Sequence, residues 1–152
     1  MESMADLEYS IRSKEQLKDL WTDIYTPEGK PDWSHIIPFY HDDIFFRDSV
    51  QEIHGITEFT AMTERLIKRS GSLKMAVTNL AQDGNVFFLE WTMTLKYKKY
   101  PESSIYGSSR ITLDGEGKIV EQRDYYDLWG DIFDNIPGFG RLYRKFMHNR
   151  FG

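Results

Sequence analysis

Apolar residues recur at two periods along this chain, and the change of period marks its architecture. Leu17, Leu20, Trp21 and Ile24 fall at i, i+3, i+4 and i+7, one stripe of a helix. Ser13-Lys14-Glu15-Gln16 before them fits a capping box, and Thr26-Pro27-Glu28-Gly29 ends the segment. A second short helix is predicted from about Pro31 to Ile37, with Trp33, Ile36 and Ile37 on one side and Pro38 stopping it. Ile44 to Asp48 reads as a strand, followed by a turn and a return strand to Ile53. Gly55 opens a third helix over 56–69, striped by Phe59, Met62 and Leu66, with Gly71 suited to its C-terminal cap. From there the period is two. Strands are predicted over 73–81, 85–98, 103–113 and 118–127, separated by Asp83-Gly84, by Pro101 and by Asp114-Gly115-Glu116-Gly117. A closing helix over 141–148 would turn Leu142, Tyr143 and Phe146 inward.

This order predicts an α+β fold, with helices packed on one face of a curved, mostly antiparallel sheet. A sheet curled around helices makes a cone with an open mouth, a natural small-molecule site. The chain has 152 residues, 40% apolar and 15% aromatic, enough for one domain over 1–152 with a real core. Residues 1–12 read as an N-terminal arm and 130–152 as a C-terminal extension. The net charge of −5 argues against a nucleic-acid partner. With no cysteine there is no disulfide, thiol nucleophile or Cys-ligated zinc. The arm lacks the apolar run of a leader, and no run approaches the ~18 residues of a membrane span, so the expected location is cytoplasmic. His35, His41, Asp42, Asp43 and His54 lack metal-ligand spacing, and neither a metal nor another cofactor is expected.

Strand alternation then sorts the acids. In the last strand Val120, Gln122, Asp124, Tyr126 and Leu128 share one face, and Ile119, Glu121, Arg123, Tyr125 and Asp127 the wetter one. Over 44–48, Ile44 and Phe46 share a face with Asp48. Two carboxylates from distant strands are thus predicted to look into the core. Burying a carboxylate is costly, and two together raise at least one pKa, the condition that acid–base catalysis uses. The structural alternative has Asp48 capping the loop after its strand and Asp124 tied to Arg110 or a backbone amide.

The element order, "YHDDIFFRD" followed by "HGITEF", and the closing "GKIVEQRDYYD" resemble the nuclear transport factor 2-like superfamily over residues 13–137. That group includes SnoaL-like polyketide cyclases, ketosteroid isomerases and limonene-epoxide hydrolases. The resemblance implies a cystatin-like cone wrapped around three helices of the N-terminal half, with a C-terminal tail helix. Similarity to ketosteroid isomerase implies a proton-shuttling role for Asp48. It places Ser109 where that enzyme has a neutral acid, and Tyr25 near its first-helix tyrosine. Similarity to limonene-epoxide hydrolase places Asp124 at the water-activating aspartate, with Asp48 and Phe46 at its water-holding positions. The hydrolase's remaining Arg and Asp fall on Trp91 and Met93 of "LEWTM", or on Glu90 and Thr92 in the neighbouring frame. Its ionic triad is incomplete in either frame.

Trp21, Tyr25, Phe46, Trp91, Met93, Ser109, Gln122 and Tyr126 are therefore the candidate substrate-binding residues, and Asp124 and Asp48 the candidate catalytic pair. The favoured reading is isomerase, cyclase or hydro-lyase chemistry on a small hydrophobic molecule. The alternative is a non-catalytic module binding a small hydrophobic ligand or a protein. On the 86–95 strand the face opposite Phe87, Leu89, Trp91, Met93 and Leu95 is mixed and carries Phe88, which suggests a homodimer through the sheet. The tail bears Arg141, Arg144, Lys145 and Arg150 without an acid; it reads as a capping helix, a lid over the mouth, or a contact for an anionic surface.

Overall fold

The computed structural model describes residues 8–97, 102–131 and 136–152. The first seven residues of the arm, the link around Pro101 and residues 132–135 of the extension lie outside that description. Helix α1 spans Lys14–Thr22, and Ser13 Oγ accepts from the Gln16 amide at 3.1 Å, as a capping box requires. The Gln16 side chain answers by accepting from Arg12 N at 2.8 Å. The second predicted helix is smaller than expected: turns lead into a single 3-10 turn over Ile37–Phe39. Pro38 supplies no amide, so the segment cannot extend into α-helix.

Strand β1 (Tyr40–Arg47) starts four residues earlier than the alternation suggests. It turns back into β2 (Glu52–His54), and helix α2 (Ile56–Arg69) follows. The helix does not end on Gly71. Ser70 is its C-cap, already extended at φ −89° and ψ 137°, so the chain passes directly into β3 (Ser70–Asp83). Strands β4 (Val86–Tyr97), β5 (Ser103–Leu113) and β6 (Ile119–Tyr126) continue the meander. The six strands order as β2-β1-β6-β5-β4-β3, antiparallel except where β1 runs beside β6. Short α3 (Leu128–Asp131) and the longer α4 (Phe139–Phe151) end the chain.

The core lies between the concave sheet face and the helices. Leu17, Trp21 and Ile24 meet Phe59 from α2 and Ile44, Phe46, Leu73, Leu89, Leu95, Ile105 and Ile111 from the strands. The inward set predicted for β4 is the buried set, apart from Met93, which is partly buried. One face assignment changes. Ile119 is fully buried, although alternation puts it on the wetter face. Leu113 pairs with Ile119 and Thr112 with Glu121, so Val120 is an extra residue that resets the parity of β6. Gln122, Asp124 and Tyr126 beyond this bulge keep the inward face. Among the described residues no helix is long and apolar enough to cross a membrane.

Candidate functional site

A cavity of about 550 Å³ opens between the concave face of the sheet, α1 and α2. Of the predicted site residues, Trp21, Phe46, Asp48, Trp91, Met93, Ser109, Gln122, Asp124 and Tyr126 all line it. Tyr25 does not; it follows α1 and pairs through its backbone with Pro31. Trp91 and Met93 point inward, whereas Glu90 lies on the outer face and accepts from Asn79 Nδ2 at 2.6 Å. In "LEWTM" the two inward positions therefore hold an indole and a thioether.

Asp124 receives two hydrogen bonds on one oxygen. Ser109 Oγ donates to Oδ1 at 2.6 Å, and Gln122 Nε2 donates to the same atom at 3.0 Å. Each donor is set by a residue behind it. Trp91 Nε1, which can only donate, gives its hydrogen to Ser109 Oγ at 2.9 Å and so directs the serine proton at Asp124. Tyr40 OH donates to Gln122 Oε1 at 2.5 Å, which turns the amide nitrogen toward the carboxylate. Burial and the Asp124 charge hold Tyr40 well above the ordinary phenol value, so it remains a donor. Asp124 Oδ2 has no partner among the described residues, and Asp124 faces the cavity.

Burial pushes the Asp124 carboxyl from the usual 3.8 up to about 6. The Ser109 and Gln122 donors oppose that rise by favouring the anion, and the Asp48 charge adds a smaller upward push. Asp48 is held differently. Its Oδ1 accepts from the amides of Val50 at 2.8 Å and Gln51 at 2.9 Å, and its Oδ2 accepts from Tyr126 OH at 3.0 Å. The loop-capping role for Asp48 is thus present, and Tyr126 carries its other oxygen to the cavity wall. Arg110 is not the partner of Asp124; it pairs with Glu121. Both belong to the opposite face of the sheet.

Sequence reasoning missed Tyr40, because the predicted strand began at Ile44. Parity alone would have placed Tyr40 with Ile44 and Phe46. Three of the four histidines make structural contacts: His35 Nε2 bonds Leu20 O at 3.0 Å, His41 Nδ1 accepts from Asp43 N at 3.0 Å, and His54 packs on Phe45. Among the described residues no group of three His, Asp or Glu is placed to hold a metal.

Comparison with known proteins bears on the family and the fold. The SnoaL-like domain family matches residues 11–122. The chain belongs to the SnoaL-like family. No curated protein matches the sequence. A Catenulispora acidiphila protein with a ketosteroid isomerase-like fold, solved with trimethylamine, superposes with a TM-score of 0.68 at 13% identity, over 81% of this chain and 93% of that one. An epoxide hydrolase of M. tuberculosis, like limonene-epoxide hydrolase, gives 0.61 at 17% identity over 95% and 99%. A candidate SnoaL-like polyketide cyclase of Shewanella denitrificans gives 0.63 at 16% over 85% and 97%. At these identities the likeness establishes the nuclear transport factor 2-like fold of this SnoaL-like chain.

Proposed function

We propose that this SnoaL-like protein is an acid–base catalyst of the isomerase or cyclase type. Its substrate is a small, largely apolar molecule with a proton acidified by a neighbouring carbonyl. One observation carries the reading: Asp124 has one oxygen held by two donors and the other without a partner among the described residues, in a cavity walled largely by aromatic and aliphatic side chains. The anchored oxygen fixes the carboxylate, and the open one is free to take a proton. A pKa of about 6 suits a base that must also return its proton near neutrality. Oδ2 would remove the proton on carbon, leaving the bonding electron pair as an enolate, and redeliver it at a second carbon or to the product of ring closure. Asp48 is the second acid of the site. Its charge raises Asp124, and its bond to Tyr126 orients that hydroxyl at the cavity wall.

Proton abstraction can be detected without the natural substrate. A panel of apolar ketones and β-keto esters is incubated with the protein in deuterium oxide and followed by NMR. The expected result is deuterium uptake beside the carbonyl of at least one compound, slowed about 100-fold or more in Asp124→Asn. Uptake at equal rates in protein and variant would contradict the assignment.

A second reading, a binding module without chemistry, is favoured by Trp91 and Met93. They stand where the resemblance to the epoxide hydrolase calls for an Arg and an Asp. It predicts compounds that bind and never exchange. We also infer a homodimer through the convex sheet face, supported by exposed Phe88, Tyr106 and Tyr125 on that surface.

A further inference from the structure

The cavity lining divides by exposure. Phe46, Phe59, Leu95, Ile105 and Ser109 are buried and make its floor. Val50, Arg65 and Arg69 line it as well but are exposed, so they stand where it meets solvent. Arg65 and Arg69 are one helical turn apart on α2, beside Met62 and Leu66, which also line the cavity. Neither arginine makes a hydrogen bond or ion pair with another described residue. Other arginines of this molecule are paired: Arg47 with Glu52, and Arg110 with Glu121. Neither cavity acid pairs with the rim: no ion pair among the described residues joins Arg65 or Arg69 to Asp48 or Asp124, and the partners of both acids are neutral donors.

We propose that the cavity binds an amphipathic organic anion, its apolar body on the aromatic floor and its carboxylate or phosphate on Arg65 and Arg69. The inference deepens the preceding one and rests on its reading that the cavity holds a small apolar ligand. Two guanidinium groups one turn apart offer planar forks to a single oxyanion. They also draw anions toward the mouth of a chain whose net charge is negative. Binding at the rim leaves the apolar body to reach down toward Asp124.

Two fluorescent probes test this: anilinonaphthalene sulfonate and phenylnaphthylamine share one aromatic body and differ by the anionic group. Each is titrated into the native protein, Asp124→Asn and the double variant Arg65→Gln/Arg69→Gln, whose exposed positions leave the core intact. The double variant is expected to weaken the sulfonate about tenfold and leave the neutral amine unchanged. Asp124→Asn is expected to retain the discrimination. Displacement of the sulfonate by decanoate, or by decyl phosphate, but not by decanol supports the proposal and tells carboxylate from phosphate. Binding of both probes with no effect of the double variant overturns this inference and leaves the acid–base reading standing. Binding of neither probe overturns both. Circular dichroism of each variant confirms that the comparison is between folded proteins.

Discussion

Asp124 carries a cost beside the role proposed for it. Below pH 3.8 the carboxyl is protonated in folded and unfolded chains alike, and it gives stability no pH dependence. Between 3.8 and about 6 the folded protein keeps a proton that the unfolded chain has released, so stability falls as pH rises. Above about 6 the full penalty applies, up to about 3 kcal/mol for a shift of this size. Asp124→Asn removes the charge while leaving an oxygen for Ser109 and Gln122. The variant is expected to be about 1–3 kcal/mol more stable than the native protein at pH 7.5 and to lose that advantage by pH 4. Denaturant unfolding at the two values checks this, and an equal offset at both would show that the carboxyl is not perturbed. The sequence placed Asp124 and Asp48 on the inward face, where both line the cavity, because parity is a local property. It could not identify Tyr40 and Gln122 as a relay, because Tyr40 OH meets Gln122 through the parallel pairing of β1 and β6.

Among the elements, β5 and β4 set the position of the indole. Gly107 pairs with Trp91 across the two strands, and a Cβ at 107 would overlap the Trp91 six-membered ring. Glycine is required there so that the indole can lie over the strand and aim Nε1 at Ser109. Gly107→Ala is expected to cost about 1–3 kcal/mol through overpacking and to break the Trp91–Ser109 bond. A lower melting temperature together with a shifted tryptophan emission would show both effects, and an unchanged spectrum would contradict the packing argument. Elements with strong periodicity, α1, α2 and the strands of the meander, were legible to within a few residues. The bulge at Val120 was not, because an extra strand residue is defined only by its partner, here Leu113 and Thr112. The helix-to-strand passage at Ser70 was hidden by Gly71, which suits a cap but takes its place in β3. A Cβ there would come within 3.2 Å of Lys96 O.

For the molecule as a whole, the two faces of the sheet divide the work. The concave face with α1 and α2 encloses the cavity, while the convex face presents Phe88, 44% exposed, together with Tyr106 and Tyr125. Across the strands Phe88 pairs with Arg110, and Arg123 lies over the Tyr125 ring. A dimer formed there would cover aromatic surface without touching the cavity. Phe88→Asp is expected to give monomers by light scattering while leaving probe binding in the cavity intact, and a dimer that survives the change would place the interface elsewhere. The charge of this face was readable as mixed from alternation, but which copy or partner it meets is a property of surfaces that no single chain specifies.

A cavity carboxyl tuned to exchange protons near neutrality must titrate there. The direct test is a pH titration of the aspartate side-chain carboxyl carbons by NMR, with the Asp124 resonance assigned by its loss in Asp124→Asn. The expected midpoint for Asp124 is about 6. A midpoint near the ordinary 3.8 would contradict it, because a carboxylate of that basicity would be no different from one at the surface.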